Sequence, residues 1–278
     1  WYRAVERQVR GVERSVADTR AEAGSNQLIA RLASAPALHD LMINPLLLTM
    51  IANVHKFSVR PLPENRAQLY AEVCEVMLKP RGESIPDSLA KEITAKKQRV
   101  LASVAFHLMN KDESVLSQRE LLSLIARQKA NIPEEKTPAE LLADAKANGM
   151  LVEAERGRYA FVHLTFQEFL AARHIKTTGR RHVLVAAVDQ PRWREVTLHL
   201  VADTDTDTDK IIKACLNSGT IEALSLAFEC LDVGATVSGP LREQLTHFVA
   251  LAYRPNCDWV HRRLVAGVEA DRHLRAKV

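Results

Sequence analysis

A change of sequence periodicity near the middle of the chain constrains the fold most. Thr137 and Pro138 open a short helical segment, and Gly149 is placed to end it in a left-handed conformation. Two short runs with strand character follow at 150–154 and 159–164, separated by a four-residue turn, and a helical period then returns. Helices followed by one β-hairpin predict a winged helix.

The sequence before the hairpin is helical in pattern. An amphipathic helix is predicted over 1–23 and should end at Gly24, while Asn44 and Pro45 supply a cap and a first helical residue for a buried apolar helix. Ser117 is placed to cap the helix that precedes Thr137. Glycine and proline number only 10 and 11 of 278 residues, which favours helix throughout.

From Trp193 onward a series of helices, separated by glycine or proline, is typical of a stacked array of the armadillo or HEAT type, although no clean repeat is visible. The predicted fold is therefore mainly α, with a helical domain, a winged-helix domain carrying a small β-hairpin, and a stacked-helix region. The predicted domains are a helical domain at 1–60, the winged helix at 61–178 and a helical superhelix-like domain at 179–278.

Charge and cysteine usage exclude several classes of protein. The 38 basic and 34 acidic residues leave a net charge of +4, too little to attract nucleic acid or an anionic membrane to the whole surface. The most apolar stretch, 41–54, is interrupted by polar residues and is shorter than the roughly 20 residues that a membrane span needs. We expect no membrane segment, a cytoplasmic location, and buried reduced thiols at Cys74, Cys215, Cys230 and Cys257.

Catalytic motifs are missing from the sequence. It has no G-x-S-x-G, no H-E-x-x-H and no phosphate-binding P-loop, so we predict no catalytic residue and no independent enzyme. Alternating aspartates at 203, 205, 207 and 209 begin like a calcium loop. Thr208 stands where such a loop needs glycine, and Ala214 where it needs glutamate. We therefore predict a helix-capping loop and no metal site.

A winged helix raises the possibility of DNA binding, because the helix before the hairpin commonly enters the major groove. Here that helix carries Glu140, Asp144 and Lys146, a net negative set that repels phosphate. Arg156 and Arg158 in the turn between the two strands could contact a phosphate backbone. Nucleic-acid binding therefore stays as an alternative, and a structural or switching role is favoured.

The most specific motif is F-V-H-L-T-F-Q-E-F-L-A-A, which begins at Phe161. Thr165 is predicted to cap the following helix, with Glu168 three residues later as in a capping box. His163 then lies where the strand gives way to the helix. One interpretation of His163 is a half-buried histidine with satisfied hydrogen bonds, and the other is a residue that contacts a ligand.

This motif resembles the winged-helix signature of NACHT proteins, signal-transducing NTPases that include animal NOD-like receptors and many bacterial regulators. Two further motifs resemble the same family in the same order: N-P-L-L-L-T-M-I-A from Asn44 with L-P-E-N-R-A-Q-L-Y from Leu62, and W-R-E-V from Trp193. The resemblance covers about 26–202. The first residues, W-Y-R-A-V-E-R-Q-V-R-G, are neither a signal peptide nor a usual translation start. We expect a longer protein whose P-loop core precedes this chain.

The resemblance implies a nucleotide-sensing switch. The complete protein would bind ATP or ADP with Mg²⁺ through its N-terminal core, and this chain alone would bind none. Pro45 would pack against the adenine, and His163 would reach the β-phosphate of ADP. The protein would be closed with ADP and would open with ATP to form a self-oligomer, with an unknown ligand or protein sensed by the C-terminal helices. The family suggests defence signalling, including antiphage defence.

Two alternatives to this switch remain open from the sequence. The first is the nucleic-acid-binding regulator already described, which the acidic helix before the hairpin disfavours. The second is a helical-repeat scaffold that captures a protein partner through residues 203–278. Neither alternative excludes the NACHT resemblance, because a helical array can sense ligands within such a protein.

Overall fold

A computed structural model describes residues 1–8, 12–33, 42–43, 45–57, 63, 66–80, 85–133, 136–202 and 208–252, with the backbone alone at 46 and 248–252. Helices dominate this part of the chain, and none of them is long and apolar enough to cross a membrane. The α-helices are α1 (Tyr2–Glu6), α2 (Arg14–Ala33), α3 (Pro45–Phe57), α4 (Arg66–Leu78), α5 (Asp87–Lys111), α6 (Gln118–Arg127), α7 (Pro138–Ala147), α8 (Leu164–Thr178), α9 (His182–Val185), α10 (Pro191–Val201), α11 (Asp209–Ser218), α12 (Ile221–Asp232) and α13 (Gly239–Ala252).

The strands are β1 (Leu116–Ser117), β2 (Leu151–Glu155) and β3 (Arg158–Phe161), in the sheet order β1-β3-β2. β1 pairs with β3 in antiparallel register, with Leu116 opposite Tyr159. β2 and β3 form the predicted hairpin, and Gly157 adopts the positive φ of 70° that its turn requires. β1 was not predicted, because a two-residue strand carries no periodicity. The predicted fold class, mainly α with a winged helix, is confirmed.

Local hydrogen bonds explain where the winged-helix segments begin. The Oγ1 atom of Thr137 accepts from the Glu140 backbone N–H at 3.3 Å, and the Glu140 carboxylate accepts from the Thr137 N–H at 2.7 Å. This capping box satisfies two of the N–H groups at the start of α7. Ser117 and Glu120 make the same pair of contacts at the start of α6. Gly149 ends the α7 region at a φ of 73°. These predictions are confirmed.

The predicted single helix over 1–23 is wrong. The chain leaves helical structure after Glu6, and Gly24 lies inside α2 instead of ending a helix. A Cβ atom on Gly24 would lie 2.9 Å from Cε1 of Tyr2, so the missing side chain lets the Tyr2 ring pack on α2. This tertiary contact overrides the tendency of glycine to interrupt a helix.

The described residues group into two compact units, one drawn from 1–100 and 125–153 and the other from 101–124 and 154–252. Their boundaries fall inside α5, α6 and β2. In the second unit α8 packs on α10, α10 on α12, and α11 on α9, α12 and α13. Contacts between helices that are near in sequence are those expected of a helical stack. The domain limits proposed from the sequence at 60 and 178 stay predictions.

The cysteines behave as small apolar residues. Cys74, Cys215 and Cys230 are buried free thiols, as predicted, and Cys257 lies outside the described residues. Burial raises the pKa of Cys215 to about 12, and it also raises the pKa of Cys230. Because the thiolate is the reactive form, these two side chains are chemically inert at neutral pH.

The acidic run at 203–209 is described only at its end, since Asp203, Asp205 and Asp207 lie outside the described residues. Asp209 opens α11, and its carboxylate accepts the Ser238 N–H at 2.9 Å. The described parts of the chain contain no group of three side chains suited to hold a metal ion.

His174 makes the stability of the second unit depend on pH. Its ring stacks on Phe106 at 4.8 Å between centroids, and burial, followed by the charge of Arg180, lowers its pKa below the ordinary value of 6.5. As pH falls below 6.5 the unfolded chain therefore binds a proton before the folded chain does. We expect the thermal-unfolding midpoint to fall between pH 7.5 and 5.5, and to fall less in His174→Phe, which keeps the stacking. An equal fall of the unfolding midpoint in both proteins would contradict this role of His174.

Candidate functional site at the strand-helix junction

The motif around His163 forms the junction between β3 and α8. Phe161, at the end of β3, is 6% exposed and lies in the core, while Val162 and Leu164 are 45% and 54% exposed. His163 lies between them in extended conformation, with φ −149° and ψ 142°, and its side chain is exposed. The junction therefore presents one imidazole with an apolar side chain on either side.

The imidazole caps α8. Its Nδ1 accepts the Thr165 backbone N–H at 3.3 Å and lies 3.0 Å from the Thr165 hydroxyl oxygen. The predicted capping by Thr165 is wrong, because the helix begins at Leu164. With His163 as the cap, the third helical residue is Phe166, which has no polar side chain to complete a capping box. No local sequence pattern indicates a histidine cap, since N-caps are ordinarily Ser, Thr, Asp or Asn.

This hydrogen bond assigns the tautomer of the ring. An Nδ1 that accepts a backbone N–H carries no proton, so the neutral imidazole holds its proton on Nε2. Within the described residues, Nε2 has no partner. The side chain therefore offers one N–H donor to the solvent, and an acceptor oxygen of a phosphate or carboxylate is the group that it can bind.

The helix that carries His163 is held firmly. All residues from Phe166 to Ala172 are buried, so every side of this part of α8 contacts the core. The buried Gln167 side chain donates to the sulfur of Met109 at 3.2 Å. A helix buried on all sides cannot roll without breaking its packing, and the cap position is therefore fixed relative to the second unit.

Residues 66–175, from the first residue of α4 into α8, match the family described as the winged helix-turn-helix domain C-terminal to NACHT. This segment is a NACHT-associated winged helix. The match includes the whole sheet, α7 and His163. No curated protein matches the chain.

Pro45 lies outside the segment that matches the NACHT-associated winged helix and belongs to the first unit. It is the first residue of α3 and is exposed, and its carbonyl oxygen accepts the Thr49 hydroxyl at 2.8 Å. Asn44, the predicted cap, lies outside the described residues. Met50 and Ile51 bury the opposite side of the helix. Pro45 is thus accessible, and its contact with adenine stays a prediction.

In this winged helix, α7 occupies the position from which other winged helices read DNA. Asp144 is bound by two lysines: Lys97 at 2.8 Å, with a side chain only 5% exposed, and Lys136. Lys146 is the only basic residue of α7, and it pairs with Glu153 at 3.0 Å. α7 therefore offers no unpaired cation to a phosphate backbone, which disfavours the nucleic-acid alternative.

Asp144 has a structural role that can be tested by Asp144→Asn. Burial acts to raise the pKa of its carboxyl, but hydrogen bonds from Lys136 and Lys97 outweigh that effect and hold the pKa below 3.8. Loss of the charge leaves the buried Lys97 ammonium unpaired, so we expect a loss of about 3 kcal/mol in the free energy of unfolding, measured by urea denaturation. The matched control, exposed Asp189→Asn, should change it by less than about 0.5 kcal/mol. Similar losses of unfolding free energy in both variants would contradict a structural role for Asp144.

Variants of His163 test whether its side chain stabilises the protein by capping α8. His163→Leu removes the acceptor at the start of α8 and should cost about 1 kcal/mol, whereas His163→Asn supplies a side-chain oxygen that caps equally well. Urea denaturation of the two variants measures the difference. An Asn variant as unstable as the Leu variant would show that the Nδ1 contact does not act as a cap.

Proposed function

We propose that the chain is the regulatory part of a NACHT signal-transduction ATPase, in which the winged helix closes on bound ADP and opens for self-association with ATP. The observation that carries the proposal is His163, an exposed imidazole in a NACHT-associated winged helix with its Nε2–H directed away from its own capping contact. The nucleotide and Mg²⁺ would be held by an N-terminal core, and this chain would supply the closing contact.

The chemistry of the junction suits a diphosphate. The Nε2–H group donates to a phosphate oxygen, and a hydrogen bond to a charged acceptor is stronger than a neutral one. The N-terminus of α8, a helix of 15 residues, adds a positive dipole end that favours an anion nearby. Exposed Val162 and Leu164 on either side of the ring would then pack against the core that carries the nucleotide.

The energy of one such contact is sufficient for a switch. A hydrogen bond to a charged group contributes about 1.5 to 3 kcal/mol, which changes the ratio of closed to open protein by roughly ten- to a hundredfold. The nucleotide acts only through its different affinities for the two states, so ATP must lose the contact that ADP makes.

Pro45 would contribute a non-polar surface to the adenine. Defence signalling is the setting that the family suggests.

The test is His163→Asn in the complete protein, because asparagine keeps the cap of α8 and removes the Nε2–H donor. We expect ADP to dissociate about tenfold faster and basal self-association to rise, measured by release of a fluorescent ADP and by light scattering. The matched control is His247→Asn, which changes an exposed histidine on α13. ADP release and association equal to those of the unmodified protein would remove His163 from the phosphate role.

A second test concerns the core itself. The coding sequence upstream of Trp1 should specify a P-loop followed by acidic residues that bind Mg²⁺, since this chain has neither. Joined to that core, the protein should bind ADP in calorimetry, while the 278-residue chain alone should bind ADP no more tightly than inorganic diphosphate. Micromolar affinity of the chain alone for ADP that greatly exceeds its affinity for diphosphate would place the nucleotide site elsewhere.

A further inference from the structure

A groove lies in the second unit, where α8 ends and α11 begins. Its cavity of about 460 Å³ is lined by Gly179, Arg181, His182, Val185, Lys210 and Ile211. That volume falls within the range of small-molecule sites, about 300 to 1,000 Å³. The groove brings together residues from two parts of the chain that are about thirty positions apart.

The charges of this groove are unbalanced. Arg181, His182 and Lys210 supply nitrogen donors, and within the described residues no carboxylate forms an ion pair with any of the three. Asp209, the acidic neighbour of Lys210, is engaged by the Ser238 N–H at 2.9 Å. In the part of the chain that the structure describes, the groove therefore presents donors without a paired carboxylate, and Asp203, Asp205 and Asp207 lie outside that part.

The remaining lining limits what the anion can be. Val185 and Ile211 provide non-polar walls, and Gly179, which ends α8 at a φ of 70°, has no side chain. Arg180, the neighbouring cation, is drawn away toward the Phe106 ring, 5.5 Å from its centroid. A concave site with two cations, one imidazole and non-polar walls fits a compact anion better than an extended backbone, which follows a continuous basic track.

We propose that this groove binds a compact small molecule bearing several phosphate groups. This groove is distinct from the ADP phosphate group that His163 would contact. The 15 residues of α8 separate its first residue from Gly179 by about 22 Å along the helix axis. A single nucleotide cannot occupy both positions, so this ligand is a second one.

The experiment is calorimetric titration of the 278-residue chain with inorganic triphosphate, the simplest probe of that chemistry. We expect one site per chain, and about tenfold weaker binding in Lys210→Gln and in Arg181→Gln, because each variant removes one charged donor. Lys213→Gln is the matched control, since it removes the same charge from an exposed residue of the same helix that does not line the groove. This control should bind triphosphate as tightly as the unmodified chain does. All three variants should keep the unfolding midpoint of the unmodified chain.

Two results would overturn the proposal. Equal weakening in Lys210→Gln and Lys213→Gln, or absence of binding, would show that no defined site exists. Tighter binding of a short DNA duplex than of triphosphate, lost equally in both lysine variants, would assign the surface to nucleic acid. Triphosphate binding is measured on the chain alone and ADP release on the complete protein, so failure of this proposal and failure of the ADP switch are distinguishable.

Discussion

The capping of α8 by an imidazole links the structural and functional parts of this chain. Because Nδ1 of His163 accepts the Thr165 N–H, the ring is held in one tautomer and its remaining N–H is directed to the outside. Seven consecutive buried residues then fix the helix in the second unit. A side chain whose orientation is fixed before a ligand arrives loses little entropy on binding, and this favours the use of His163 as a contact.

The charges of α7 distinguish this winged helix from those that bind DNA through the same helix. A helix that reads DNA keeps its cations unpaired, but the basic residue of α7 is paired and its Asp144 neutralises lysines of its own unit. The carboxylate therefore stabilises the domain, and its charge would repel phosphate at the groove of a duplex. A polar group that is available for recognition lies at the next junction, on His163.

The groove at the end of α8 places a second set of nitrogen donors near the other end of the helix that His163 caps. The N-terminal end of α8 carries one outward donor, and its C-terminal end leads through Gly179 into a cluster of cationic side chains. The central part of α8, from Phe166 to Ala172, is buried on all sides and holds both ends of the helix in the same unit. Two anionic ligands at the ends of this helix would therefore act on the same unit.

The sequence by itself determined the parts of the structure that depend on neighbouring residues. The capping boxes at Thr137 and Ser117, the stop at Gly149 and the hairpin all rest on contacts within about five positions, so their patterns are visible in the chain. The NACHT motif identified the domain and singled out His163. Tertiary structure decided the rest: Gly24 is helical because the Tyr2 ring packs there, and the His163 side chain is exposed. The groove unites residues far apart in sequence. These outcomes depend on which surfaces meet after folding, and no local pattern records that.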